Sequence, residues 1–180
     1  LLPPFAFWGL KDWKRHGTAA QEIIDCNMGW DITDFGLGDY ARNGLFLFTL
    51  RNGHPNDPRY LKPYCEKLLI TQEDQVTNTH YHWNKVEDII NRGGGDLVVE
   101  LWNSTEDDRL ADTKVTVTCD GLRRTVPAGG RIVLTPGESV TLPQRLYHKF
   151  YGQKGKGAVL IVEVSAVNDD TRDNRFFEPV

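Results

Sequence analysis

The stretch of sequence with the clearest chemical potential runs from His80 to Gly95 and reads HYHWNKVEDIINRGGG. His80 and His82 are two residues apart, so on an extended strand both imidazoles project from the same face. Glu87 follows five residues after His82 and adds a carboxylate. Two neutral imidazoles and one carboxylate form a typical site for a divalent ion of borderline-to-hard character. The spacing therefore predicts a metal site.

A further ligand is expected from elsewhere in the chain. His148, in LPQRLYHKF, is the best candidate because it lies in an apolar, strand-like context after a turn at Pro143. Gly93–Gly95 predict a tight reversal into the next strand, at residues 96–102. Two histidines in this spacing also occur by chance on strands. The metal prediction therefore depends on Glu87, the glycine turn and His148 together.

Length and composition limit the kinds of protein to consider. A chain of 180 residues is expected to form one domain. Its formal net charge of −4 gives no electrostatic reason to expect nucleic acid or an anionic membrane as a partner. The apolar runs are far shorter than the roughly 20 residues that span a bilayer. Cys26, Cys65 and Cys119 are few, odd in number and far apart, which favours a reducing cytoplasm over a disulfide scaffold.

The first 43 residues are predicted to form an N-terminal arm and one short helix, followed by a β-barrel over 44–180. Residues 1–17 are rich in aromatic residues and proline, and we interpret them as an irregular arm that packs on a hydrophobic surface, such as that of a second subunit. Thr18 and Gln21 form a capping-box pattern for a helix at about 19–27.

Short strands at near-regular spacing follow from residue 44 onward. KVTVTCD (114–120) alternates apolar and polar residues, and the Asp120-Gly121 pair after it predicts a hairpin. Nine or ten such strands, separated by turn residues among 17 Gly and nine Pro, indicate an all-β sandwich or small barrel.

Several charged residues lie where an apolar core is expected. Glu163 in AVLIVEVS and Glu100 in DLVVELW are costly there unless each is paired, for example with an arginine, or has a chemical role. Lys85 lies between His82 and Glu87, so it is either close to the metal or a solvated turn lysine.

The tail segment VNDDTRDNRFFEP concentrates carboxylates, amides and arginines directly after the strand that contains Glu163. Such a run is usually a solvated turn. It would also suit a polyol, because carboxylates and amides exchange hydrogen bonds with vicinal hydroxyls. Asp170, Asp173 and Arg175 are the candidate substrate-binding residues.

These residues also carry a family resemblance. His80, His82, Glu87 and Gly94 fit the first cupin motif, HxH, four residues, Glu, six residues, Gly. Pro143 to His148 resembles a shortened second cupin motif, with Arg145 in place of its usual glycine and without its asparagine. The resemblance implies a cupin double-stranded β-helix, or jelly roll.

A narrower resemblance covers most of the chain. The segments that carry it are THYHWNKVEDIINRGGGDLVVELWNS, LYHKF, EVSAVNDDTRDNRF, MGWDITDFG and LFLFTLRNG. Together they resemble the bacterial D-lyxose ketol-isomerase family. The resemblance implies Mn²⁺, with Co²⁺ or Fe²⁺ as other divalent candidates, held by the residues His80, His82, Glu87 and His148. It also implies a catalytic role for Lys85, and for Glu163 by its position.

The implied reaction is an aldose–ketose isomerisation of a small sugar, D-lyxose to D-xylulose, with D-mannose and D-fructose as a second pair. Protons would move between C2 and C1 and between O1 and O2, through a metal-stabilised enediol. The aromatic arm suggests a homodimer, since cupins often pair through such segments.

Two alternatives use the same residues differently. The first is a cupin Fe(II) dioxygenase, since metal choice depends on geometry and supply as well as ligand type. The second is a non-catalytic sugar-binding cupin with a structural metal.

Overall fold

Two antiparallel β-sheets contain most of the regular secondary structure of residues 2–179, the part of the chain that the computed structural model describes. In chain order the strands are β1 (Gly29–Thr33), β2 (Leu45–Arg51), β3 (Tyr64–Thr71), β4 (Thr77–His82), β5 (Glu87–Gly94), β6 (Leu97–Asn103), β7 (Val115–Cys119), β8 (Leu122–Val126), β9 (Gly130–Leu134), β10 (Ser139–Leu142), β11 (Leu146–Gly152), β12 (Val159–Ala166) and β13 (Asn174–Phe176).

The larger sheet has eight strands in the order β1-β2-β3-β12-β5-β10-β7-β8, and the smaller has five in the order β13-β4-β11-β6-β9. The apolar core contains inward residues of both, for example Ile89 and Ile161 from the larger sheet and Leu101 and Leu134 from the smaller. Two packed antiparallel sheets of this kind form the predicted all-β jelly roll. The fold class is therefore confirmed.

Local sequence patterns explain several of these strands. In β7 the residues alternate strictly between buried and exposed, as the pattern predicts. Strands β7 and β8 pair antiparallel, and both Asp120 and Gly121 have positive φ, 49° and 83°. Positive φ at both positions is typical of a type I′ hairpin turn, so the predicted hairpin is confirmed.

The glycines at 93–95 do not close a hairpin as predicted. Strand β5 continues through Gly94 and pairs with β12, whereas β6 belongs to the other sheet. These glycines instead allow close backbone approach, since a Cβ on Gly94 would overlap the carbonyl oxygen of Ala158. An earlier crossing, from β4 to β5 between His82 and Glu87, places Glu87 and the histidines on opposite sheets.

The N-terminal region is more helical than predicted. A 3₁₀ helix (Pro4–Phe7) precedes α1 (Leu10–His16), and a second 3₁₀ helix (Gly17–Ala20) precedes α2 (Gln21–Asp25). Helix α2 is shorter than the predicted helix at 19–27, and it buries none of its own residues, so little packing extends it. The boundary at residue 43 stays a prediction.

The arm packs on the protein's own eight-stranded sheet. Phe5 stacks on Phe48 with ring centroids 5.3 Å apart, and the Trp30 indole donates a hydrogen bond to the Ala6 carbonyl at 2.8 Å. Strand β1 lies in the N-terminal 43 residues, where only an arm and a helix were predicted, and it is completed by pairing with β2. Strand β13 lies in the tail whose composition is typical of a solvated turn, and it is completed by pairing with β4. Across residues 2–179, the helices are too short and polar to cross a membrane.

Candidate active site

Three histidines of the five-stranded sheet converge between the two sheets. His80 and His82 lie on β4, and His148 pairs with His80 from β11. One ring nitrogen from each histidine lies within 4.8 Å of the others, and all three side chains are buried. Ring nitrogens gathered this closely form a three-histidine metal-binding site.

Backbone carbonyls orient two of the three imidazoles. His80 Nδ1 lies 2.7 Å from the Asn78 carbonyl oxygen, and His148 Nδ1 lies 3.0 Å from that of Leu146. In each case the carbonyl two residues earlier in the same strand holds Nδ1 as the protonated nitrogen. Nε2 of both rings therefore carries the lone pair that a metal ion needs.

Glu87 begins β5 and reaches the histidines from the eight-stranded sheet. Its Oε1 lies 3.1 Å from His148 Nε2 and 3.4 Å from His82 Nε2, but neither contact has the angles of a hydrogen bond. Within residues 2–179 both His82 nitrogens and His148 Nε2 are buried without a hydrogen-bond partner. A divalent ion shared with Glu87 would take the lone pair of one nitrogen on each ring, so the predicted ligands fit a metal.

Lys85 and Glu163 form a buried ion pair next to Glu87. Lys85 Nζ lies 2.8 Å from Glu163 Oε1 and 3.1 Å from Glu87 Oε2. Lys85 comes from the turn between β4 and β5, and Glu163 points inward from β12. The Lys85 side chain is only 2% exposed, so it is not the solvated turn lysine of the alternative interpretation.

Neighbouring charges shift the pKa values of Lys85 and Glu163 in the direction opposite to that expected from burial. Burial alone lowers the pKa of Lys85, but the carboxylates of Glu163 and Glu87 outweigh it and hold the pKa above its usual value. Burial raises the pKa of Glu163, but the ammonium groups of Lys67 and Lys85 outweigh it and hold the pKa below its usual value. At neutral pH Glu163 is therefore a carboxylate able to accept a proton, and Lys85 is an ammonium able to donate one.

Lys67 is a site residue that the sequence reasoning missed. It points inward from β3, with Nζ 2.7 Å from Asn168 Oδ1 and 3.7 Å from Glu163 Oε1. Asn168 Oδ1 also accepts a hydrogen bond from Lys85 Nζ at 3.3 Å, so one amide oxygen joins both lysines. A signal was present in the sequence, since Lys67 shares the inward face of YCEKLLIT with Cys65 and Leu69.

Of the three predicted substrate-binding residues, only Asp170 lines the cavity beside the histidines. Its Oδ1 lies 3.6 Å from Lys67 Nζ, and its Oδ2 accepts a hydrogen bond from Asn168 Nδ2 at 2.7 Å. Burial raises the pKa of Asp170, but Lys67 and the Asn168 hydrogen bond outweigh this and lower it. Asp170 is thus an ionised carboxylate that faces the cavity.

Asp173 holds the turn that carries Lys85 instead of facing the cavity. Its Oδ1 accepts hydrogen bonds from the Asn84 backbone and side chain at 2.7 and 3.0 Å, and its Oδ2 accepts one from the Lys85 backbone at 3.2 Å. Asp173 is buried, and these bonds fix the backbone between His82 and Glu87. It therefore positions Lys85 and does not reach substrate.

Arg175 is also outside the cavity. It lies on β13 between Asn174 and Phe176, which both line the cavity. Because side chains alternate along a strand, Arg175 points to the opposite face, where its guanidinium donates to the Phe176 carbonyl. The direction of the Arg175 side chain could be predicted only if β13 was known to be a strand, and the charged composition of the tail gives no sign of a strand.

The cavity beside the histidines has a volume of about 300 Å³. Its charged end contains His80, His82, three carboxylates and both lysines, and the remaining wall is largely apolar. The apolar lining residues are Phe35, Leu45, Leu47, Leu69, Ile89, Phe150 and Phe176. A site with one charged end and an apolar wall suits a small, polar molecule whose reacting end faces the histidines.

Glu100, the other carboxylate of uncertain role, is paired as the structural interpretation predicted. Arg131 donates to its Oε1 at 2.9 Å, as does the Tyr151 hydroxyl at 2.8 Å, and Lys149 Nζ lies 3.0 Å from its Oε2. Glu100 is therefore satisfied outside the cavity.

Comparisons with known proteins agree with the geometry. The sequence model of the D-lyxose isomerase family matches residues 1–180. A D-lyxose/D-mannose isomerase from Serratia proteamaculans is 53% identical over 180 residues, covering 99% of this chain and 79% of that protein. One of the same name from Escherichia coli O157:H7 is 49% identical with the same coverage.

A solved structure supports the fold. The L-ribose isomerase of Acinetobacter sp. DL28, in complex with L-ribose, matches with a TM-score of 0.60 and 14% identity. The match covers 94% of this chain and 89% of that one. At this identity the similarity shows the jelly-roll fold alone.

Proposed function

This chain belongs to the D-lyxose isomerase family and is a sugar isomerase, and we propose that it interconverts D-lyxose with D-xylulose and D-mannose with D-fructose. The single observation that carries the proposed reaction is the buried contact of 2.8 Å between Lys85 and Glu163, directly beside the three-histidine site. Family membership argues against the dioxygenase and the non-catalytic alternatives.

The proposed metal is a divalent ion held by His80, His82, Glu87 and His148. Three imidazoles and one carboxylate suit Mn²⁺, with Co²⁺ and Fe²⁺ as substitutes, because borderline ions accept mixed nitrogen and oxygen ligands. When bound, such an ion supplies Lewis-acid stabilisation for the negative charge that develops on O1 and O2 of the sugar.

Glu163 is proposed as the group that moves the carbon-bound proton. Its carboxylate takes the proton from C2 of the aldose, which leaves an enediol, and returns it to C1 to give the ketose. The low pKa of Glu163, due to Lys67 and Lys85, keeps the carboxylate ionised and ready to accept the proton.

Lys85 is proposed to move the second proton. Its ammonium donates a proton to O1, and the resulting amine then takes the proton from O2, so the hydroxyl at C2 of the aldose becomes the carbonyl of the ketose and the ammonium is restored. Glu163 and Glu87 hold this ammonium between them, which keeps it oriented and protonated between turnovers. Asp170 and Lys67 are placed to hydrogen-bond the sugar's other hydroxyls.

The test is ketose formation from D-lyxose and D-mannose by metal-stripped protein, with and without added Mn²⁺. Mn²⁺ is expected to restore turnover, and reaction in D₂O is expected to place deuterium at C1 of the ketose, because the carboxylic proton held by Glu163 exchanges with solvent before some of the returns. A hydride shift would leave C1 free of deuterium. Lack of turnover with both sugars, with metal shown to be bound, would contradict the proposed substrates.

The active form is proposed to be a homodimer. Phe7, Leu10, Trp30 and Ile32 are exposed by 73%, 81%, 49% and 61%, on the arm and on the outer face of β1. Exposed apolar residues in one region favour an interface between subunits. Light scattering is expected to give a molar mass of two chains for the wild type. The Ile32→Lys variant is expected to have the mass of one chain.

A cytoplasmic location is also proposed. Cys26, Cys65 and Cys119 are all buried and free, which suits a compartment that keeps thiols reduced. Cell fractionation of the native source is the direct measurement.

A further inference from the structure

An irregularity in the pairing of β4 with β11 changes which side chains face the cavity. His80 pairs with His148, but the next pair is Thr77 with Phe150, so three steps along β4 match two along β11. In regular pairing, a residue three positions from His80 would face the opposite side of the sheet. The extra residue is a β-bulge, and it turns Thr77 to the same side as His80. Thr77 accordingly lines the cavity.

The hydroxyl of Thr77 is unusual because nothing in the protein satisfies it. The residue is 3% exposed, and its Oγ1 has no hydrogen-bond partner among the described residues. The other buried side-chain atoms in this condition are ring nitrogens of His82 and His148, and a metal ion would take one nitrogen of each of these rings. A buried hydroxyl left without a partner reduces stability, so its presence beside an active site calls for a ligand.

The surroundings of Thr77 identify the missing partner as a hydroxyl of the sugar. Two cavity residues that strand pairing places near it are apolar: Phe150 pairs with it, and Leu45 follows the bridge between Asn43 and Val76. A rotation of about 120° around χ1 exchanges the threonine hydroxyl with its methyl group, so either can face the cavity. A threonine hydroxyl both donates and accepts, as a sugar hydroxyl does.

We propose that Thr77 is a specificity-determining residue that hydrogen-bonds a sugar hydroxyl beyond C2. This inference rests on the proposed function, in which O1 and O2 face the histidines. Thr77 lies three residues along β4 from His80, on the side away from His82, roughly 10 Å along an extended strand. It therefore faces the part of the sugar away from the reacting carbons, at C3, C4 or C5.

The kinetic test compares Thr77→Val, which keeps the shape but removes the hydroxyl, with Thr77→Ser, which keeps the hydroxyl. For the Mn²⁺-loaded protein, Thr77→Val is expected to lower kcat/KM for D-lyxose roughly 10-fold, and Thr77→Ser is expected to stay within about 3-fold of wild type. The 3-, 4- and 5-deoxy derivatives of D-lyxose then identify the hydroxyl. For one of them, Thr77→Val is expected to cause no further loss, because the bond is already absent.

The stability test separates this role from a structural one. Thr77→Val removes an unsatisfied hydroxyl, so the sugar-free protein is expected to melt roughly 2–4 °C higher. The matched control is Thr71→Val, because the buried Thr71 hydroxyl donates to the Gln75 carbonyl at 2.8 Å. That variant is expected to melt lower. Substitutions with the same chemistry thus have opposite expected signs.

The inference is overturned if Thr77→Val loses the same factor with D-lyxose and all three deoxy sugars, or loses nothing. Wild-type protein that turns over neither D-lyxose nor D-mannose would instead contradict the proposed function. In that case calorimetric binding of D-lyxose to wild type and Thr77→Val still decides the role of Thr77. Equal affinities would overturn it, and a roughly 10-fold weaker variant would support it.

Discussion

The two sheets contribute opposite kinds of chemistry to one cavity. The five-stranded sheet supplies His80, His82 and His148, and burial, helped by the other two imidazoles, holds the pKa of His80 well below its usual value. The eight-stranded sheet supplies ionised groups, with Glu87, Glu163 and Lys67 on β5, β12 and β3. One side thus offers neutral lone pairs for a metal, and the other offers charges that move or hold protons.

This difference means that metal binding and proton transfer can be disturbed separately. Glu87 is the exception, because it comes from the charged sheet but contacts imidazoles of the other. Substitutions of the histidines on the five-stranded sheet are expected to remove the metal. Substitution of Glu163 on the eight-stranded sheet is expected to leave the metal bound and stop the reaction.

The largest effect is expected from His82→Ala. Loss of an imidazole leaves the ion under-coordinated, and turnover is expected to fall roughly 10⁴-fold because several kcal/mol of charge stabilisation are lost. Metal analysis by mass spectrometry is expected to show substoichiometric Mn²⁺. His54→Ala, in a loop outside the cavity, is the control and is expected to keep both metal and turnover. Full metal content with wild-type turnover in His82→Ala would contradict the assignment of metal binding to the five-stranded sheet.

Glu163→Gln is expected to give the next largest loss. Removal of the proton acceptor is expected to lower kcat roughly 1,000-fold, within the range for a general base, while the bound metal is retained. Glu100→Gln is a matched control, since Glu100 is a buried carboxylate of the other sheet that lies outside the cavity. Loss of metal from Glu163→Gln would show that the two sheets do not divide the work.

Asp173→Ala, which alters the turn where the chain crosses from one sheet to the other, is expected to reduce activity less. Its carboxylate accepts three hydrogen bonds in the turn that carries Lys85, so its loss is expected to cost about 1–3 kcal/mol of unfolding free energy and about 10-fold in kcat. Chemical denaturation and steady-state kinetics measure the two. Asp169→Ala, which removes bonds to Thr171 only, is the control. Unchanged kcat in Asp173→Ala would argue against a positioning role.

The smallest effect is expected for the pH dependence of the stability of the metal-free protein. The folded pKa of His80 lies well below 6.5, mainly through burial, so below pH 6.5 the unfolded chain binds a proton that the folded protein does not. Stability is therefore expected to fall as pH drops from 6.5, by up to about 1.4 kcal/mol per pH unit. Urea titrations of wild type and His80→Asn between pH 7 and pH 5 measure it. An equal slope in both proteins would contradict this assignment.

Sequence patterns predicted the parts of the molecule that depend on neighbouring residues. Alternation in β7 and the Asp120-Gly121 pair are local signals, and both predictions are confirmed. The spacing of His80, His82 and Glu87 also predicted a cluster, and the structure brings these residues together with His148.

The features that were missed depend on long-range pairing. Strand β13 forms only against β4, and without it the outward direction of Arg175 could not be known. The glycines that looked like a hairpin instead accommodate the backbone at residues 157–158. Lys67 became a site residue only when β3 was placed beside β12.

The crossing from β4 to β5 also has a consequence for the order of folding. His82 and Glu87 are five residues apart, so closing that loop costs little chain entropy, whereas Lys85 meets Glu163 across 78 residues. Long loops close slowly, so the pairing of β11 with β4 and of β12 with β5 is expected to come after the β4–β5 crossing. During refolding, three of the four proposed ligands would thus come together before the proton-transfer pair, and metal binding would precede recovery of activity.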